Sequence, residues 1–144
     1  MQAMPTLNLR DGTVEQKRQE IKAYFLDSFD TYESLFSCLV NDDVFYQRPE
    51  KLRHPLIFYF GHTATFFINK LVLSKAINER INPKFESLFA IGVDEMSWDD
   101  LNDENYDWPK VEEVRQYRNQ VRTLVCDLID TMSFSMPIDL SLIH

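Results

Sequence analysis

The side chains able to do chemistry here are few: His54, His62 and His144, the thiols of Cys38 and Cys126, and an acidic run from Asp94 to Asp107. A neutral imidazole is a general base and a common metal ligand, so the histidines carry most of the weight. The apolar pattern around His62 places it mid-helix, on one face with Tyr59, Phe66 and Asn69, pointing into a bundle or its mouth. Gly61 beside it permits close approach by another helix or by a ligand. Two readings of His62 stay open on the residues alone: a metal ligand, or a core histidine bonded to a backbone or side-chain acceptor. His54 precedes Pro55 and suits a capping or loop contact, and His144 is the final residue and suits a frayed end. No His-x-x-x-His or Glu-x-x-His pair occurs, so no complete metal site is visible in the chain. The acidic run lacks calcium-loop spacing and reads as a solvated loop pinned by Met96 and Trp98. Cys38 and Cys126 fall on or beside apolar stripes and read as inert packing. Arg53, Arg80, Arg115 and Arg118 could each meet a carboxylate, and nothing local selects among them.

The elements that must position these groups are helical. Thr13-Val14-Glu15-Gln16 forms a capping box, and apolar residues recur at threes and fours from Ile21 through Leu39, which predicts a first helix to about Val40. A connection over 41–54 follows, anchored by Phe45 and Tyr46. Pro55 suits the first turn of a second helix running to about Ile77. That helix carries Leu56, Phe60, Phe67 and Leu71 on one side and Tyr59, Phe66 and Leu73 on the other. Apolar nearly all round, it should be central in its bundle. Asn82-Pro83 breaks the pattern and leads to a short turn ending at Gly92. Pro109 opens a third long helix, with Glu112 and Glu113 favourably placed in its first turn and a stripe from Val111 to Met132.

Composition narrows the function classes. The chain has 144 residues, enough for a single domain spanning 1–144, with an N-terminal arm over 1–12 and an extended tail over 133–144. The net charge of −8 argues against a nucleic-acid or anionic-membrane surface. Seven acids and no base lie between Asp94 and Asp107, so the remainder is almost neutral. Three glycines are too few for a turn-rich β fold or a phosphate-binding loop. Two cysteines form no disulfide framework, and the first ten residues lack an apolar leader core, so a cytoplasmic location is expected. Leu56–Leu73 contains Gly61, His62, Asn69 and Lys70 and reads as a buried helix rather than a membrane span.

The segment Leu52-Arg53-His54-Pro55-Leu56-Ile57-Phe58-Tyr59-Phe60-Gly61-His62-Thr63 resembles the start of the DinB-like domain of the ergothioneine and ovothiol sulfoxide synthases. Asn82-Pro83-Lys84-Phe85-Glu86-Ser87-Leu88-Phe89 resembles the segment that follows in that family. Gly92-Val93-Asp94-Glu95-Met96-Ser97-Trp98-Asp99-Asp100-Leu101 is closest to the ovothiol branch, the 5-histidylcysteine sulfoxide synthases. Val114-Arg115-Gln116-Tyr117-Arg118 is similar to the start of the family's third helix, and the likeness covers roughly residues 45–137.

The resemblance implies an all-α DinB-like bundle with three long helices, short of the family's fourth. It implies that His62 is a ligand of a non-haem Fe(II) ion. The family's other histidine ligands lie in a His-x-x-x-His-x-Glu motif that is not present in this sequence. The implied activity is O2-dependent joining of cysteine sulfur to histidine, giving a sulfoxide, with histidine and cysteine as substrates. The family's C-terminal domain, of the formylglycine-generating-enzyme type, is also missing. The expectation is therefore a truncated part of such an enzyme, inactive alone. The alternative is a non-catalytic helical interaction module that dimerises to complete its bundle. A small metal-dependent hydrolase of the broader DinB-like class would need more histidines than this chain has.

Overall fold

A computed structural model describes residues 6–93 and 106–134. Its elements are α1 (Val14–Leu35), α2 (Leu56–Leu73), the short α3 (Pro83–Leu88) and α4 (Val111–Thr131). Two 3₁₀ turns, Phe36–Cys38 and Asp42–Tyr46, link α1 to α2. Among the described residues there is no strand, and the all-α expectation holds.

Local chemistry explains each boundary. Thr13 Oγ1 accepts the Gln16 N–H at 3.2 Å while Gln16 Oε1 accepts the Thr13 N–H at 2.9 Å, the reciprocal cap expected from sequence. α1 stops at Leu35 rather than continuing to Val40. Ser34 and Ser37 donate to the carbonyls three residues back, the chain tightens into a 3₁₀ turn, and Leu39 is already extended. Phe36 turns inward against Phe45 and Phe60, whereas Val40 is 87% exposed. α2 likewise stops at Leu73, not Ile77. Lys75 takes a left-handed φ of 62°, and the N–H groups of Ala76 and Ile77 return to Leu71 O. Pro55 caps α2 from outside, and Pro109 similarly precedes the cap residue Lys110. Pro83 does occupy the first turn of its helix, behind an Asn82 cap.

α2 lies against α4, α3 and the second 3₁₀ turn, while α1 packs on α4. Phe25, Phe29, Phe58, Phe60, Phe89, Val114, Val121 and Ile129 are buried among the elements. α2 is buried along Ile57, Phe58, Phe60, Gly61, Ala64, Thr65, Ile68 and Leu71. By length and composition it is apolar enough to cross a membrane, and in this fold it is the core helix of the bundle. Its burial is not all-round, as the sequence suggested: Phe66 is 41% and Leu73 74% exposed, and these two share a stripe with Tyr59 and His62. Charge pairs tie α1 to α4 at their surfaces, with Lys22 on Asp130 and Arg122 on Asp30 by two bonds of 2.9 Å.

Candidate functional site

His62 sits in the second turn of α2, half-buried, with its ring stacked on Phe58 at 5.3 Å and 11°. Its Nδ1 lies 2.7 Å from the carbonyl oxygen of Phe89. A carbonyl only accepts, so Nδ1 carries the proton and the lone pair of the neutral ring is on Nε2. The backbone carbonyl thus fixes both tautomer and ring orientation, which is how a ligating histidine is prepared from behind.

Gly61 makes this possible. A Cβ at position 61 would fall 2.5 Å from the Phe89 ring, closer than any real side-chain contact. Only a residue without Cβ lets Phe89 press against α2, and only that contact brings the Phe89 carbonyl to His62. The segment is set by α3. The Asn82 side chain caps Phe85 N, and Glu86 Oε2 reaches back to the Asn82 N–H at 2.8 Å. Asn69 donates to Glu86 O at 3.0 Å and holds α3 to α2. The close approach expected at Gly61 is therefore made by Phe89.

His54 is buried at 4% exposure, its Nε2 is 3.0 Å from Ile91 O, and its ring stacks on Phe58 at 4.0 Å. It fills the loop-contact role expected of it, within an aromatic group that includes Tyr106 and Trp108. His144, Met96, Trp98 and all but the end of the acidic run lie outside the described residues. Cys38 is exposed rather than packed, because the chain has left the α1 stripe by that point. Cys126 is half-buried, and burial pushes its thiol pKa up.

The four arginines separate. Arg118 is fully buried. Its Nε faces Glu33 Oε2 at 3.2 Å, and its Nη1 donates to Phe60 O and Thr63 Oγ1, each at 2.7 Å. Its plane lies over the Phe29 ring at 4.3 Å. Arg115 stacks on Phe60 and Phe45, Arg80 bonds Asn69 Oδ1 at 2.6 Å, and Arg53 is exposed. Sequence reasoning also passed over Glu86 and Tyr117. Both are buried, and Glu86 Oε1 and the Tyr117 hydroxyl lack a hydrogen bond of good geometry. Burial raises the Glu86 carboxyl above its ordinary range, and burial beside Glu86 raises the Tyr117 phenol. Tyr117 on the α4 stripe and Glu86 three residues after Pro83 were legible as positions, but not as neighbours.

The iron implied by the resemblance finds one prepared donor here. Among the described residues no group of three His, Cys, Asp or Glu side chains could hold a metal ion. His62 therefore fits as a single ligand, and no reaction step follows from the described residues.

Comparison with known proteins gives the same outline. No curated protein matches the chain. The model of the DinB superfamily matches residues 24–138, from the third turn of α1 past the end of α4, and so takes in α2 with His62 and the α3 segment that orients it. With its long helices and this match over most of its length, the chain belongs to the DinB superfamily.

Proposed function

We propose that this chain contributes His62 to a non-haem Fe(II) centre of the sulfoxide-synthase type, closest to the enzymes that join cysteine sulfur to histidine in ovothiol synthesis. One observation carries the reading: Nδ1 of His62 is bonded to Phe89 O at 2.7 Å, so Nε2 is the free donor on an open stripe of α2. The sequence likeness over residues 52–63 and 82–101 supplies the reaction class. The remaining ligands would come from outside the described residues or from another chain. Histidine, cysteine and O2 are the proposed reactants, and the cytoplasm is the proposed setting.

The experiment is anaerobic Fe(II) titration of the protein and of His62→Ala. The expected result is weak binding that is lost in the variant while the fold is kept, and no sulfoxide adduct by mass spectrometry when O2, histidine and cysteine are added. Fe(II) binding that is indifferent to His62→Ala overturns the assignment. Tight one-to-one binding that depends on His62 overturns the single-ligand form and favours an assembled site.

A second reading is a helical interaction module. It is favoured by the exposed stripe of Phe66 and Leu73 beside Tyr59 on α2, an apolar strip on the bundle's core helix. Light scattering across micromolar concentrations tests it. A dimer weakened by Phe66→Glu supports it, and a monodisperse monomer removes it.

A further inference from the structure

A groove of about 680 Å³ runs along α4, between that helix and the chain that follows α2. Ile77, Ile81, Leu124 and Leu128 supply its apolar surface, and the rest of its lining is polar side chains of α4 between Asn119 and Thr131. Thr131 is both a lining residue and the last residue of the helix. Just beyond it, Phe134 is buried, with the Arg18 guanidinium over its ring at 4.6 Å. Phe134 also takes a left-handed φ of 29°, uncommon for an aromatic residue and held here by the buried ring. The chain therefore leaves the line of α4 beside the end of the groove. Residues 135–144 lie outside the described residues, and their sequence has a pattern of its own. Met136, Ile138, Leu140 and Leu142 alternate with Pro137, Asp139 and Ser141. That period puts the apolar side chains on one face of an extended chain.

We propose that residues 136–142 lie back along α4 in this groove, with Met136, Ile138, Leu140 and Leu142 against its apolar surface and Asp139 and Ser141 outward. Length, charge and attachment select this occupant. An extended chain from Met136 to Leu142 reaches about 20 Å, and α4 rises about 17 Å from Gln120 to Thr131. The alternation turns Asp139 away from the groove, which Asp127 lines, so two like charges are kept apart. Asn119, Gln120 and Thr123 are exposed along the groove and carry donors and acceptors for an extended backbone. The segment is tethered at Phe134 and meets the groove at an effective concentration of about a millimolar, far above that of a second copy in micromolar solution. The groove lies away from His62, so the proposal stands or falls independently of the iron reading.

The test uses the intact protein with methyl-labelled Ile, Leu and Met, followed by NMR. Nuclear Overhauser contacts should join Leu124 and Leu128 to Ile138 and Leu140, and they should survive dilution unchanged. Leu140→Asp should abolish these contacts and speed hydrogen exchange of the 138–142 amides about tenfold. Ser141→Asp, on the outward face, should leave both readouts as in wild type, and so should His62→Ala. The signals of Phe89 and Tyr117 report that the core is intact in each variant. Absence of the contacts from the wild type overturns the proposal. So does Ser141→Asp acting as strongly as Leu140→Asp, which removes the alternating register. Contacts that fade on dilution assign the groove to a second copy and overturn it as well.

Discussion

On the α1 flank of α2, Arg118 is a buried cation whose carboxylate, carbonyl and hydroxyl partners come from α1 and α2. On the α3 flank, Glu86 is a buried acid that accepts the Asn82 N–H and faces the Tyr117 hydroxyl. Both groups are essentially without solvent contact. The first stays charged because its counter-ion reaches it. The second is pushed toward its neutral form by burial, which outweighs the opposing pull of the Asn82 N–H and of Arg80. The α1 flank is open as a cavity, while the α3 flank is closed by Phe89 against Gly61. α2 thus has a buried charged group behind an open cleft on one flank and a buried acid behind a sealed contact on the other, with His62 on the stripe between them.

Breaking the charged side should cost most. Arg118→Ala leaves a void under Phe29 and strands Glu33, for a loss of about 3 kcal/mol in chemical denaturation. Glu33→Ala keeps the packing but leaves the fully buried guanidinium without its counter-ion, so it should cost a comparable amount, about 3 kcal/mol. Breaking the sealed side comes next. Gly61→Val drives side-chain atoms into Phe89 and should cost about 2 kcal/mol. It should also release Phe89 O from His62, visible as a changed His62 tautomer in nitrogen-15 NMR.

Glu86→Gln should have a smaller effect of opposite sign. The raised folded pKa of Glu86 means that its favourable contribution is fully present below its ordinary value of 4.5 and is lost as pH rises through the raised value. The glutamine variant should therefore melt higher than wild type in neutral buffer, with the gap closing in acid. An unchanged gap across pH would show that the carboxyl is not neutral in the folded state. Last, Asp30→Asn opposite Arg122 should change stability by no more than about 0.5 kcal/mol, because that pair sits in water. A larger loss there would mean that the α1–α4 surface pairs are coupled to Arg118.

Much of this was readable beforehand. The capping box at Thr13, the break at Asn82-Pro83 and the α4 stripe are local signals, and the helices follow them. The helix ends at Leu35 and Leu73 were overrun because apolar periodicity continues past them. The serine back-bonds and the left-handed Lys75 that stop those helices leave no periodic trace. His62 was found by its motif, and the tight contact at Gly61 was anticipated in kind. That the contact is Phe89, and that the same residue supplies the carbonyl, depends on α3 folding back across α2.

By itself, then, the sequence determined the helical elements through local spacing, and the family and the candidate status of His62 through motif resemblance, because each is carried within single stretches of chain. Only the tertiary structure decided which of four arginines is buried and paired with Glu33, that Glu86 is shut in against Tyr117, and that one flank of α2 is open. Those facts rest on groups brought together from residues 33, 60, 63, 86, 117 and 118. Burial and charge pairing are properties of that assembly, and no single segment of the sequence contains them.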